Sequence, residues 1–468
     1  MTATSTPQGQ HERALLNLAA SYAAVPTDAR VRLAKSTSNL FRPRTAKSVA
    51  GLDVSGLDGV IAVNAAERTA DVQGMCTYER LVQATLAHGL MPLVVPQLKT
   101  ITLGGAVTGL GIESSSFRNG LPHESVLELD ILLGDGQIVT ASPERNADLF
   151  AAFPNSYGSL GYAVRLRIEL EPVSPFVALR HIRFTDLGEL AAAITTVCDS
   201  RRWDGQGVDF VDGVMFAPDE AYLTLGRLVT DPADAGVRAA SDYTGQQIYY
   251  RSIQRRARDC LTIHDYLWRW DTDWFWCSSA FGAQRPLVRR LWPARYRRSD
   301  FYHRLVGLEN RYQVAARIDR WRGRPARERV VQDVEIPIGR TADFLAWFAE
   351  HVPMSPLWLC PLRLRPPKDP ASPARWPLYP LEPDDLYVNV GFWGSVPIAD
   401  GHQDGDVNRR IEAAVAQRAG HKSLYSDAYY DRQTFDELYG GETYQVVKNR
   451  WDPGHRLTGL YEKAVGRQ

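Results

Sequence analysis

The sequence has few cysteines, and none of them has the spacing of a zinc site or a disulfide framework. Five are present in 468 residues, which is an odd number, and they lie far apart without any CxxC pair, at Cys76, Cys198, Cys260, Cys277 and Cys360. Such scattered cysteines are typical of reduced thiols in a cytosolic protein. The sequence therefore predicts neither structural disulfides nor a metal site.

The chain also lacks an excess of either charge and any long apolar run. Its 54 Lys and Arg residues balance 54 Asp and Glu residues, whereas nucleic-acid-binding domains normally carry a basic excess on one face. No apolar run reaches about eighteen residues, and residues 1–26 do not have the pattern of a signal peptide. We expect a soluble, cytoplasmic protein of about two to three domains that binds no nucleic acid.

Strand and helix patterns alternate along the first part of the chain. Short β-branched strands are predicted at 59–64 and 69–74, and apolar residues at helical spacing predict a helix over 77–89. A buried strand follows at 90–96, and then two strands joined by a GDGQ turn. Together with a half-buried strand at 158–173, these elements predict an α+β domain.

The second half mixes strands and helices around a basic and aromatic segment. That segment runs from Tyr249 to Tyr302 and contains HDYLWRWDTDWFWC. Its tryptophans are more often core than pocket residues, but their density suits a cap that holds a flat, apolar substrate. The proline-rich residues 365–380 are interpreted as a surface connector rather than a lid.

One stretch, from Thr102 to Gly120, is almost bare of side-chain bulk and reads TLGGAVTGLGIESSSFRNG. Glycines let backbone N–H groups approach a phosphate closely. A Rossmann fingerprint is rejected because Ser114 replaces its third glycine and no strand, turn and helix surround it. The alternative interpretation is that these glycines only make tight turns between strands.

Two further segments of the same domain suit a phosphate-bearing ligand. KSTSNLFRPR, Lys35–Arg44, places small hydroxyl residues beside the cations Arg42 and Arg44. GSLGYAV, residues 158–164, bares the backbone just before a strand. Three such segments in one α+β domain favour the ligand over the turn-only interpretation.

The order of these segments resembles the FAD-binding domain of the vanillyl-alcohol-oxidase superfamily. The resemblance is carried by STSNLF, then VVPQLKTITLGGAVTGLGIESSSFRNGL, then LDILLGDGQIVTASPERNADLFAAFPNSYGSLGYAV. More narrowly, TLGGAVTGLGIESSS, HDYLWRWDTDWFWC, VVQDVEIPI and PLWLCPLRL resemble the Δ24-sterol reductase branch, the seladin-1/Diminuto type. The resemblance covers nearly the whole chain.

The resemblance implies a PCMH-type FAD-binding domain of two subdomains at about 1–175, a substrate-binding cap at 176–420 and a segment returning to the flavin at 421–468. It also implies FAD contacts at Ser36, Thr37, Ser38, Asn39, Thr102, Leu103, Gly104, Gly105, Ala106, Val107, Thr108, Gly109, Leu110, Gly111, Ile112, Glu113, Ser114, Ser115, Gly158, Leu160 and Gly161. Covalent flavins in this superfamily are generally attached to a histidine or cysteine side chain near these segments. Neither residue occurs in 30–44 or 100–120, so we expect a noncovalent FAD.

The activity that the resemblance implies is reduction of an isolated C=C bond in a sterol-like or isoprenoid lipid, with NADPH reducing the flavin. An unactivated alkene needs a positioned acid to protonate one carbon as hydride reaches the other. The candidates are Glu113, His264, Asp265, Tyr425 and Asp427. The alternative role of Glu113 is to hydrogen bond the ribityl chain or a backbone amide. The alternative role of His264 and Asp265 is that of a structural pair.

Two other functions are compatible with the same residues. One is an FAD-dependent oxidase or dehydrogenase of an alcohol or sugar, and the other is a flavin-containing lipid-binding module without turnover. Eukaryotic members of the branch begin with a membrane-anchoring segment, and none is visible in this sequence. The arginines of 289–304 form either a solvated face or a patch for peripheral contact with anionic lipid headgroups.

Overall fold

Two β-sheets organise the chain, so the predicted α+β class is confirmed. The structure is a computed structural model that describes residues 6–35, 41, 51–312, 317, 321–366, 376–379 and 381–465. All five cysteines carry free thiols. Of the helices described, none combines the length and the apolar content needed to cross a membrane.

The first sheet has, within the described residues, six strands that pair antiparallel in the order β1-β2-β6-β4-β5, with β3 on β6. Its strands are β1 (Val60–Asn64), β2 (Thr69–Gln73), β3 (Leu90–Pro92), β4 (Val126–Leu132), β5 (Ile138–Ala141) and β6 (Tyr162–Pro172). The helices of this region are α1 (Pro7–Ala23), α2 (Tyr78–Leu86), α3 (Leu103–Gly109), α4 (Ser116–Asn119) and α5 (Ala147–Ala152). From Val164 to Leu170 every second residue of β6 is buried, as the predicted alternation requires.

The chain enters the second sheet just after β6. That sheet has eight strands among the described residues, in the order β12-β7-β11-β10-β14-β15-β13-β16. The strands of this region, including the separate β8-β9 hairpin, are β7 (Phe176–Phe184), β8 (Arg202–Trp203), β9 (Gln206–Gly207), β10 (Phe210–Ala217), β11 (Glu220–Val229), β12 (Arg258–Thr262), β13 (Arg327–Pro337), β14 (Leu357–Leu362), β15 (Tyr387–Pro397) and β16 (His421–Lys422).

Different layers cover the two faces of the second sheet. The helices of this region are α6 (Leu187–Ser200), α7 (Tyr249–Ile253), α8 (Ile263–Leu267), α9 (Pro286–Leu291), α10 (Ser299–Tyr312), α11 (Ile338–His351) and α12 (Asp406–Ala416). Apolar residues of α6, α11 and α12 share one core with one sheet face. On the other face, Phe210 and Trp358 belong to the core that contains Trp270 and the first sheet. Trp268, Trp270, Phe275 and Trp276 of the aromatic segment belong to the same core and are therefore packed between the sheets.

The last helices lie against the first sheet's region. They are α13 (Arg432–Leu438), α14 (Gly441–Trp451) and α15 (Leu460–Ala464). In α14, the buried Lys448 ammonium donates to the Ser159 carbonyl at 2.7 Å and to the Asp452 carboxylate at 2.5 Å. A buried ammonium needs such partners, so this contact anchors the chain's end beside the glycine-containing turn before β6.

The glycine-rich stretch contains a helix that the sequence did not predict. Thr102 caps α3, since its Oγ1 accepts from the Gly105 N–H at 3.2 Å. The Gly104 N–H donates to the Gly74 carbonyl at 2.9 Å, and a Cβ on residue 104 would lie 2.6 Å from that oxygen. Gly104 is therefore required by protein packing, independently of any ligand.

Substituting Gly104 by alanine tests this packing. We expect Gly104→Ala to lower the free energy of unfolding by about 1 to 3 kcal/mol, because α3 has to move away from Gly74. The matched control is Gly339→Ala in α11, where an added Cβ meets no atom within 4 Å and the change should stay within about 0.5 kcal/mol. Urea unfolding followed by tryptophan fluorescence measures both, and equal losses in the two variants would contradict the assignment.

Candidate functional site

An ammonium, a hydroxyl and bare backbone meet at the start of α3. The Lys35 Nζ donates to Thr102 Oγ1 at 3.1 Å. A Cβ on Gly105 would lie 2.8 Å from that hydroxyl and 3.6 Å from Lys35 Nζ, so a side chain there would fill the space in front of the cation. This combination fits an anionic diphosphate. Sequence reasoning missed Lys35, although it directly precedes the predicted STSN segment.

Four of the predicted diphosphate contacts cannot be compared with this group. Ser36, Thr37, Ser38 and Asn39 lie outside the described residues. Within α3, the side chains of Leu103, Ala106 and Val107 are buried in the core. Contacts between a ligand and these three residues would therefore use their backbone.

A buried donor without a protein partner lies on the loop that leads to α3. Gln97 is only 6% exposed, and its Nε2 has no hydrogen-bond acceptor among the described residues. Leaving such a donor unsatisfied costs about 1 to 3 kcal/mol. A carbonyl or ring nitrogen of a bound cofactor would remove that cost, so Gln97 also fits a flavin ligand that the sequence did not suggest.

The structure brings two predicted flavin segments together. The Tyr157 N–H donates to the Thr108 carbonyl at 2.8 Å, and the Tyr157 hydroxyl donates to the Gly109 carbonyl at 2.8 Å. Gly158 follows with φ +74°, a conformation that glycine adopts easily. At position 161 a glycine is required for packing, because a Cβ there would lie 2.4 Å from Ile131 Cγ2. The two segments thus form one surface, while Gly161 serves packing.

The aromatic segment reaches this region through Phe41. The Phe41 ring stacks on Trp274 with centroids 5.5 Å apart and meets Tyr425 edge to face at 5.9 Å. Its backbone N–H also donates to the Tyr425 carbonyl at 3.1 Å. Three segments far apart in sequence, including the predicted acid Tyr425, therefore converge two residues after the predicted diphosphate contact Asn39.

The Tyr425 hydroxyl lies beside an indole and a carboxyl group. Trp393 Nε1 donates to it at 2.8 Å, and the Asp333 carboxyl is close enough for each group to shift the pKa of the other. The Asn389 amide donates to the same carboxyl at 3.0 Å. Burial raises the pKa of Asp333 to about 6, although Asn389 and Tyr425 act in the opposite direction. Asp333 was missed from the sequence, where its only signal is a carboxylate within the apolar strand VVQDVEIPI.

Glu113 lies in a different, fully buried network. Arg269 Nη2 donates to Glu113 Oε1 and to Asp212 Oδ2, each at 2.9 Å. The indole N–H groups of Trp270 and Trp358 both donate to Asp212 Oδ2 at 3.2 Å. Burial raises the pKa of Glu113, and the Arg269 cation opposes that rise. The network joins the glycine-rich stretch to β10 and the aromatic segment.

Among the described residues, no hydrogen bond joins the Tyr425 hydroxyl to His264, Asp265 or Asp427. His264 is on α8 with its side chain 59% exposed, and its Nδ1 lies 3.3 Å from Asp265 Oδ1. Asp265 also accepts from the Thr262 hydroxyl at 2.7 Å. Asp427 accepts from Arg329 Nη2 at 2.8 Å. Each of these carboxylates is thus engaged in a local hydrogen bond or ion pair.

Comparison with known proteins defines the class to which this fold and site correspond. Residues 14–142 match the family model described as FAD binding domain. The match extends from the middle of α1 to the end of β5 and includes Lys35, Gln97 and all of α3. The predicted FAD-binding domain of an oxidoreductase is thereby confirmed.

The chain is similar, more narrowly, to Δ24-sterol reductases. It is 26% identical to the enzyme from Rattus norvegicus over 381 residues, covering 79% of this chain and 69% of the relative. Identity to the Homo sapiens enzyme is 25% over 413 residues, 86% of this chain and 75% of the relative. For the Arabidopsis thaliana enzyme the identity is 23% over 464 residues, which cover 89% of this chain and 77% of the relative. The predicted resemblance to Δ24-sterol reductases is thus confirmed by relatives from both animals and plants.

The buried network around Arg269 can be tested by removing its cation. We expect Arg269→Met to lower the free energy of unfolding by about 3 to 5 kcal/mol, because two buried carboxylates lose their counter-charge. Glu113→Gln, which removes one of those charges and keeps an acceptor, should cost less. Arg450→Met, which breaks a solvent-exposed pair with Asp148, is the control and should cost less than about 1 kcal/mol. A thermal or urea midpoint for Arg269→Met equal to that of the control would contradict a structural role.

Proposed function

We propose that this protein reduces an isolated C=C bond of a sterol-like or isoprenoid lipid, with noncovalent FAD as the hydride donor and NADPH as its reductant. The observation that carries the proposal is the Tyr425 hydroxyl, which accepts a hydrogen bond from Trp393, lies near the Asp333 carboxyl and belongs to an aromatic wall beside Phe41. The names of the similar sterol reductases support the same reaction type.

The described residues that would hold the cofactor are Lys35 and Thr102 at its diphosphate, the open backbone at Gly105, and the unsatisfied Gln97 amide. When bound, FAD supplies the hydride that an alkene carbon receives. Ser36 to Asn39 complete the predicted diphosphate wall.

The protein's part in the chemistry is to supply a proton. An isolated alkene has no carbonyl to take up charge, so a proton must reach one carbon as hydride reaches the other. In the proposal the Tyr425 hydroxyl gives this proton. The Trp393 indole, which donates to the phenol oxygen, stabilises that oxygen once its proton has left. A protonated Asp333 beside it then returns a proton to the phenol and regains its own from solvent, to which its side chain is partly exposed. Glu113 positions the glycine-rich stretch and takes no part in proton transfer.

The lining of this region favours a lipid over a sugar. Phe275 lies 4.2 Å and Trp276 5.3 Å from Trp393, centroid to centroid, and Trp274 continues the wall to Phe41. Apolar ligands bind in such aromatic pockets with few polar anchors, whereas several buried sugar hydroxyls would each need a partner. We further propose that the protein works in the cytoplasm or at a membrane surface, where lipids of this kind are held.

Anaerobic stopped-flow absorbance of the purified flavoprotein tests the reaction. We expect NADPH to bleach the oxidised-flavin band and a Δ24-sterol to restore it. Tyr425→Phe should leave bleaching unchanged and slow the sterol-dependent recovery by about 100-fold or more, since the general acid is lost. Tyr296→Phe, on the surface, is the matched control. Bleaching by alcohols or sugars without NADPH would replace the proposal by an oxidase, and no bleaching by any reductant would replace it by a lipid-binding module.

The pH dependence of the recovery step tests Asp333. Its carboxyl loses its proton as pH rises through about 6, and an ionised carboxylate holds the Tyr425 proton instead of replacing it. We therefore expect the recovery rate to fall as pH rises through about 6 in the natural protein. In Asp333→Asn that decrease should disappear. Asp427→Asn should retain it, and loss of the decrease in Asp427→Asn alone would transfer the role to Asp427.

A further inference from the structure

A strong basic charge is concentrated in one part of a chain whose net charge is zero. Residues 285–324 contain twelve arginines and three acidic residues. Some of these arginines serve the fold: Arg289 pairs with buried Asp273 at 2.6 Å, and Arg298 pairs with Glu79 at 2.8 Å. Others, among them Arg290, Arg295 and Arg304, are exposed.

The same part of the chain exposes large apolar side chains. Of the nine such side chains that are exposed in the described structure, six lie between Leu287 and Trp321. On α9, Leu287 is 78% and Leu291 83% exposed. These two leucines are four residues apart and therefore share one face of the helix. Burying a leucine in apolar surroundings is worth about 1.5 to 3 kcal/mol, so such exposure is costly unless a partner covers them.

Helix α10 has the same two kinds of side chain on one face. Arg304 and Leu308 are four residues apart, and Leu308 is 53% exposed. Among the described residues, the carboxylate that pairs with the Arg304 cation is that of Asp300, 3.9 Å away, and the Arg304 side chain is 77% exposed. We call Leu287, Arg290, Leu291, Arg295, Arg304 and Leu308 the Leu/Arg surface.

The opposite side of α10 packs on the candidate site. The His303 ring lies 5.8 Å from Phe41 and 6.0 Å from Trp274, centroid to centroid. Tyr302 is fully buried in the same cluster as Trp274. Trp292, which follows α9, lies 6.0 Å from Phe301, so α9 and α10 are joined by aromatic contacts. The Leu/Arg surface and the aromatic wall are thus two sides of one thin layer.

We propose that the Leu/Arg surface binds an anionic lipid bilayer. Arginine guanidinium groups pair with lipid phosphates while exposed leucines enter the apolar boundary below them, which is the pattern of interfacial helices. Nucleic acid would use the arginines but would leave the leucines in water. The inference stands on the surface itself. It also deepens the proposed function, because it places the layer that covers the candidate site against the medium in which a lipid alkene dissolves.

Vesicle co-sedimentation of the full-length protein tests the proposal without substrate or NADPH. We expect binding to phosphatidylcholine vesicles that contain 30% phosphatidylglycerol, little binding to phosphatidylcholine alone, and release at high salt. Leu287→Ser with Leu291→Ser should weaken binding by about 10-fold or more, since each buried leucine contributes strongly. Arg290→Gln with Arg295→Gln should weaken it by about 5-fold for each charge removed.

The matched control is Leu16→Ser, since Leu16 is 70% exposed on α1, far along the chain from this surface. Flavin absorbance and circular dichroism of each variant show that it is folded. Absence of binding to anionic vesicles, or equal weakening by Leu16→Ser, overturns the proposal. Retention of an RNA homopolymer that is insensitive to the leucine substitutions overturns it in favour of nucleic acid. Because reduction of a detergent-dissolved sterol is measured separately, failure here is distinguishable from failure of the proposed function.

Discussion

The buried contact of Arg269 with Glu113 and Asp212 is the constraint on which the arrangement of the chain depends. Buried charges are tolerated only when each lies against an opposite charge. Arg269 of the aromatic segment therefore has to contact both Glu113 of the glycine-rich stretch and Asp212 of β10. The indole N–H groups of Trp270 and Trp358 donate to the same Asp212 oxygen, Oδ2, that Arg269 contacts. Because the network is almost entirely inaccessible, its geometry is set by charge pairing, and the aromatic segment is held between the two sheets.

That placement determines where polar groups remain available beside the aromatic wall. Trp274 stacks on Phe41, and Trp393 contacts Phe275. The Tyr425 hydroxyl, which accepts from Trp393, is therefore a polar group among aromatic rings, and the Asp333 carboxyl lies near it. A carboxyl group in such surroundings keeps its proton to higher pH than one in water. The same layer presents α10 to the outside. The aromatic wall and the exposed basic surface are therefore parts of one stack of helices and rings around Phe41 and Trp274.

The sequence predicted the sheets better than the segment between them. Regular alternation of apolar and polar residues identified strands such as β6, since a half-buried strand repeats every two residues. Helix α3 was missed because its glycines are poor helix formers. It forms through the Thr102 cap and the close approach of Gly104 to Gly74, which no local pattern reveals. Glu113 was recognised as a special carboxylate, but its cation lies 156 residues away, so the sequence could not distinguish a proton donor from a member of an ion-pair network.

The α+β class and a phosphate-bearing ligand could be predicted from the sequence alone, because apolar periodicity and bare backbone beside small hydroxyl residues are local properties of the chain. That the ligand is FAD followed from the resemblance of the ordered segments to a known family. The basic charge of residues 285–324 is also visible in the sequence, because it depends only on composition. Only the tertiary structure decided which acids meet which partners. His264 and Tyr425 were equivalent candidates in the sequence, yet the His264 side chain is exposed on α8, whereas the Tyr425 hydroxyl accepts a hydrogen bond from Trp393. Burial and pairing depend on contacts between strands and loops that are distant in sequence, and those contacts exist only once both sheets are packed.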